Sequence, residues 1–123
     1  MKVTVQNGAN HGLSRAEVEA MLHHLPGSWN RSVDAIVLYE HQEPEFRCRY
    51  YEKEKKLGLF WPSNDHNQPT KSKAVDEMLI ALSAIANRGS LPDRLSASLR
   101  SQYLADAATV RAKCLKVVGE DAP

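Results

Sequence analysis

RCRYYEKEKKLGLFWP, residues 47–62, consists of two apolar-alternating runs separated by a charged pentapeptide. Successive side chains of a strand point to opposite sides. Phe46, Cys48 and Tyr50 therefore share one face of the first run, and Arg47, Arg49 and Tyr51 share the other. Leu57, Leu59 and Trp61 form the inward face of the second run, which Pro62 ends. EKEKK closes the two runs into a hairpin and sets Lys56 and Phe60 beside the arginines. The crowding of aromatics supports a sheet here, since six of the eight (Tyr39, Phe46, Tyr50, Tyr51, Phe60, Trp61) fall between residues 39 and 61.

Upstream, SVDAIVLYE (residues 32–40) is apolar on both faces at its centre, as expected of an interior strand. The short HQEPE segment that follows predicts that this strand pairs with its successor, giving an antiparallel meander. Lys2 to Gln6 alternates Val3 and Val5 with polar neighbours, a short first strand. Ser14 and Glu17 form a capping box ahead of Val18, Met21, Leu22 and Leu25, which recur at helical spacing until Pro26-Gly27. Downstream, Val75, Met78, Leu79, Leu82 and Ile85 mark a second, strongly apolar helix from Lys71 to a stop at Gly89. Leu99, Tyr103, Ala107, Val110, Cys114 and Val117 mark one face of a long third helix. The predicted architecture is α+β, with a three- or four-stranded antiparallel sheet and helices packed on one face, in the order β–α–β–β–β–α–α. The second helix docks through Met78, Leu82 and Ile85 onto Phe46, Tyr50, Leu59 and Trp61. Residues 1–118 are expected to form one domain and residues 119–123 a disordered tail.

Sixteen basic and fifteen acidic residues leave a net charge of +1, so no whole-molecule field draws this chain to nucleic acid or lipid, and any basic function must be local. With no apolar run of signal-peptide or membrane-span length, a cytoplasmic protein is expected. Cys48 and Cys114 lack metal-site or disulfide spacing and read as reduced, packed thiols.

Asp76-Glu77-Met78-Leu79-Ile80 follows a hairpin, the position in which zinc peptidases carry H-E-x-x-H. Aspartate and isoleucine stand where both imidazoles would be needed, which removes that chemistry and leaves Asp76 and Glu77 as the polar edge of a packed helix. None of the five histidines forms an i, i+4 pair. His23 and His24 suit the C-terminal end of a helix dipole, and His41 lies in an acidic turn with Glu40, Glu43 and Glu45. No metal site and no cofactor is expected.

Two surfaces remain as candidate binding sites. The cationic-aromatic sheet face (Arg47, Arg49, Tyr51, Lys56, Phe60) offers the residue types that anchor protein interfaces, and equally those that stack single-stranded bases while arginines meet phosphate. The polar loop Ser63–Gln68, with Asn64, Asp65, His66 and Asn67, offers hydrogen-bonding groups and one base beyond the sheet, although the same residues build ordinary solvated turns. With no nucleophile elbow, P-loop or dinucleotide-binding glycine pattern, a non-enzymatic binding or assembly protein is expected. Its partner on the sheet face is a second copy, as a homodimer, or another protein. A ligand binder or enzyme using the loop, and a single-stranded nucleic-acid module, are the alternative readings.

Overall fold

The computed structural model describes residues 1–6, 12–40, 44–62 and 67–119, with the side chain of Glu40 excepted. Among these residues four strands, β1 (Lys2–Gln6), β2 (Ala35–Glu40), β3 (Arg47–Tyr51) and β4 (Lys56–Trp61), are accompanied by four α-helices, α1 (Arg15–Leu22), α2 (Lys71–Arg88), α3 (Ala97–Asp106) and α4 (Ala108–Val117), and a 3-10 turn at Gly27–Arg31. The fold is α+β, but the sheet is mixed. Its spatial order is β1-β2-β4-β3, with β1 parallel to β2, β2 parallel to β4, and only β3 antiparallel, to β4.

This arrangement corrects the antiparallel meander expected from the sequence. A strand, a helix and a second strand form a crossover, which returns the chain in its original direction and makes β1 and β2 parallel. β2 then skips its successor and pairs with β4. Burial explains the choice. Leu57 to Trp61 is buried at every position, so β4 belongs in the interior of the sheet. Every residue of β3 is half-buried, and its alternating arginines suit an edge. The β3–β4 hairpin itself forms as expected, through a turn in which Lys55 takes a left-handed conformation at φ 49°. Its carbonyl accepts the Asp34 N–H at 2.7 Å, joining the turn to the start of β2.

Ser14 caps α1 in a reciprocal capping box with Glu17, and Thr70 caps α2 by accepting the Lys73 N–H. Lys71 reaches across to Glu17 at 2.9 Å and ties the two helix N-termini together. The α2 helix ends at Gly89, whose φ of 75° suits a residue without a Cβ. In place of one long third helix there are two. The break falls at Ala107 (φ −97°, ψ 9°), which is fully buried, and beyond it Cys114 stays inward as expected, Val110 and Val117 pack partly buried against the core, and Val118 joins as a further fully inward position.

The core lies on one face of the sheet. Val3, Ile36, Leu38, Leu57, Leu59 and Trp61 meet Val18 and Met21 of α1, Val75, Met78, Leu82 and Ile85 of α2, and Cys114 beyond the break. The expected docking of α2 is therefore present, with Phe46 and Tyr50 packed at its margin. Phe46 sets its ring edge-on to Trp61 at 4.8 Å, and the Tyr50 hydroxyl donates to the Ser32 carbonyl at 2.5 Å. α3 packs on α2 through a smaller cluster of Ile80, Ala84 and Tyr103. Among the described residues no helix is long and apolar enough to cross a membrane.

Candidate functional site

The opposite face of the sheet is built by the strand register alone. Arg47 stands beside Phe60, Arg49 beside Gly58 and Tyr51 beside Lys56, and across β4 these continue to Tyr39, Val37 and Ala35, then to Gln6, Thr4 and Lys2 of β1. All five residues expected on the cationic-aromatic face thus share it. Lys2, Lys56, Arg47 and Arg49 bring four cations to these twelve positions, and none of the other eight is acidic.

The aromatic part of the face is packed down on the sheet. Tyr39 and Phe60 stack with centroids 4.5 Å apart and planes 3° from parallel. Gly58 lies beneath both rings, and a Cβ there would stand 2.8 Å from the Phe60 ring and 3.1 Å from that of Tyr39. Phe60 is left only 6% exposed, so its role is to cover the sheet, and it cannot lend a ring face to a partner. The Lys56 ammonium sits 4.6 Å from the Tyr51 centroid and 5.9 Å from that of Tyr39. Hydrogen bonding to the Tyr39 hydroxyl raises the Lys56 pKa above its ordinary value, against a smaller opposing effect of burial.

Because β1, β2 and β4 run parallel, Gln6, Glu40 and Trp61 end at one margin of the sheet, where β3 begins. A cleft of about 900 Å³ opens beside the start of β3. Pro44 to Cys48 form one wall, Leu91 to Leu95 and Arg100 the other, and Lys73, Glu77, Ile80 and Ala81 of α2 the floor. Asn67 and Thr70 line it too. The structure therefore joins Arg47 of one sequence candidate and Asn67 of the other in a single cleft. Asn64, Asp65 and His66 of the polar loop, the acidic turn at His41 and residues 120–123 of the tail lie outside the described residues.

The carboxylates singled out in the sequence serve as ties between helices. Asp76 accepts from Arg111 Nε at 2.5 Å, and Glu77 accepts from Arg100, with the Lys73 ammonium 3.7 Å away. Burial pushes the Cys48 thiol far above its ordinary range, Glu77 adding to the effect and Arg100 opposing it. Among the described residues no three His, Cys, Asp or Glu side chains gather as a metal would require.

Comparison with protein-family models, curated proteins and solved structures gives no match.

What sequence reasoning did not foresee is the cleft. Lys73, Arg94, Arg100 and the leucines 91 and 95 carry no motif, and they converge only because α3 folds back on α2. The available signal was Leu91-Pro92, a turn that reverses the chain toward the strand edge.

Proposed function

We propose that this is a non-enzymatic binding protein that holds an acidic segment of another protein on its outer sheet face. The observation that carries the reading is the one-sided charge of that face, with Lys2 on β1, Lys56 on β4 and Arg47 and Arg49 on β3, and no acidic residue at the twelve positions of the face. Such a surface steers and selects an anionic partner. A second copy of this chain brings the same cations against themselves, which disfavours a face-to-face homodimer. Single-stranded nucleic acid meets the charge requirement, but base stacking needs open ring faces, and those of Phe60 are covered. We place the protein in the cytoplasm, where thiols such as Cys48 and Cys114 stay reduced.

The test is fluorescence anisotropy with labelled polyglutamate and, separately, labelled oligothymidylate, at low and physiological salt. The expected result is binding of polyglutamate that weakens with salt and is lost in Arg47→Glu/Arg49→Glu while circular dichroism stays native. Wild-type protein indifferent to polyglutamate, or preferring oligothymidylate, would overturn the assignment. So would a dimer, seen by light scattering, that the double charge reversal dissociates.

A further inference from the structure

We infer that two copies of this chain join edge to edge through β1, antiparallel about a twofold axis at Thr4, into one continuous eight-stranded sheet. The inference is independent of what the outer face binds, and it leaves that face open on both copies.

β1 ends the sheet order on the side away from β3, so among the described strands β2 is its one neighbour. The Lys2 N–H donates to the Asp34 carbonyl at 2.8 Å, which fixes Lys2, Thr4 and Gln6 as the residues whose main-chain groups bond to β2. Alternation then turns the N–H and C=O groups of Val3 and Val5 to the outer edge. The side chains of the same two valines lie on the core face, beside Ile36 and Leu38. Their burial differs. Val3 is 2% exposed, whereas Val5 is 38% exposed and is the one large apolar side chain lying open among the described residues. The edge thus brings main-chain donors and acceptors and open apolar surface together at Val5.

A second copy meets both, because the strand is complementary to itself in one register. With Thr4 across from Thr4, Val3 and Val5 of one copy exchange both main-chain hydrogen bonds with Val5 and Val3 of the other, which pairs every outward group of the two valines. A shift of two residues in either direction sets Val3 against Val3 or Val5 against Val5 and halves those bonds within β1. On the core face the centred register lays each Val5 beside Val3 of the second copy, so the open apolar surface is covered from across the axis. On the outer face Lys2 stands across from Gln6 and no like charges meet. The two Lys2 residues are about 14 Å apart along the strands, beyond the screening length of about 8 Å at physiological salt. An axis perpendicular to the sheet keeps both helical layers on one side and both outer faces on the other. Whatever the outer face binds is thereby offered two sites on one surface. Paired strands of five residues make a small interface, so the association is weak and depends on concentration.

The test is sedimentation velocity of the full chain from micromolar to millimolar concentration. The expected result is a monomer–dimer equilibrium with a dissociation constant on the order of 10 μM. Val5→Pro deletes an outward donor and leaves the bonds to β2 in place, so it should weaken dimerisation about tenfold or more while circular dichroism stays native. Thr4→Lys and Thr4→Glu each set like charges across the axis and should each give monomers, whereas an equimolar mixture of the two should recover the dimer. Protein that stays monomeric at every concentration, or a dimer indifferent to Val5→Pro, overturns the edge pairing. So does a dimer that Thr4→Glu tightens, since the new carboxylate would then face Lys2 in a shifted register. A dimer that Arg47→Glu/Arg49→Glu dissociates overturns this inference together with the outer-face reading.

Discussion

Gly58 lies under the stacked rings of Tyr39 and Phe60, and its replacement by alanine has an effect whose sign depends on those rings. Ordinary contact with a Cβ begins near 3.4 Å, and the built methyl would stand 2.8 Å from Phe60 and 3.1 Å from Tyr39. The Phe60 ring must retreat by about 0.6 Å, into a partner stacked on it at 4.5 Å. Overpacking of this kind costs about 1–3 kcal/mol, while removing a glycine from a strand returns about 0.5–1 kcal/mol. The expected net loss is therefore about 1 kcal/mol at the middle of those ranges and about 2.5 kcal/mol at most. With a urea slope of about 2 kcal/mol per molar, that lowers the unfolding midpoint by roughly 0.5 M, and by about 1.3 M at most. In a Phe60→Ala background the closer obstruction is gone and the Tyr39 ring, 3.1 Å from the methyl, has the vacated space to move into, so the same Gly58→Ala change should cost much less or raise the midpoint. The assay is a double-mutant cycle by urea denaturation, with Tyr39→Ala as a second background in which Phe60 can move aside. A shift of the same sign and size in all backgrounds would refute the close approach, and with it the claim that the aromatic residues of this face are spent on covering the sheet.

Trp61→Ala removes the largest fully buried side chain, which packs against Phe46 and the Gly12 backbone, and is expected to cost about 3–5 kcal/mol; a urea midpoint equal to wild type would remove Trp61 from the core. Partial burial pushes the Glu17 carboxyl up, but the Ser14 N–H at 2.9 Å and the Lys71 ammonium outweigh it, so the folded pKa lies below the ordinary 4.5. A depressed carboxyl stabilises the fold fully above its unfolded pKa and loses that contribution as pH falls through the folded value. Glu17→Gln keeps a capping side chain without the charge, so its stability deficit should be constant above about pH 5 and shrink below about pH 4.5; a deficit unchanged down to about pH 3 would contradict the assignment.

The elements were more legible in the sequence than their pairing. The capping box at Ser14, the apolar stripe of α2 and the alternation through residues 47–61 each follow from local periodicity, and each appears in the structure. Strand order is not local. The short segment between β2 and β3 allows a hairpin, and the expectation of a meander took that option. The burial pattern pointed the other way, since a strand apolar on both faces gains most between two neighbours, while one with an arginine at every second residue loses least at an edge. Hydrophobic pattern outweighs proximity in sequence, and β4 inserts between β2 and β3. The break at Ala107 carried no sequence mark, because neither glycine nor proline stands there.

For the site, alternation predicted which residues share a face but not how far each is exposed. Arg47, Arg49, Tyr51, Lys56 and Phe60 stand together because register is a property of the strand, and the structure agrees with the sequence on that point. Phe60 then separates from the others, because the exposure of a ring depends on what stacks on it, and Tyr39 comes from a strand that the expected meander did not set beside β4. The same misplaced strand hid the cleft. With β3 between β2 and β4 both of its edges would be paired, and no bay could lie beside it. With β3 at the margin, Arg47 belongs at once to the charged outer face and to the wall of a cleft floored by α2. That double position puts Arg47 at the junction of the two regions that the sequence treated as separate, because an edge strand borders whatever packs beside the sheet as well as the face it belongs to.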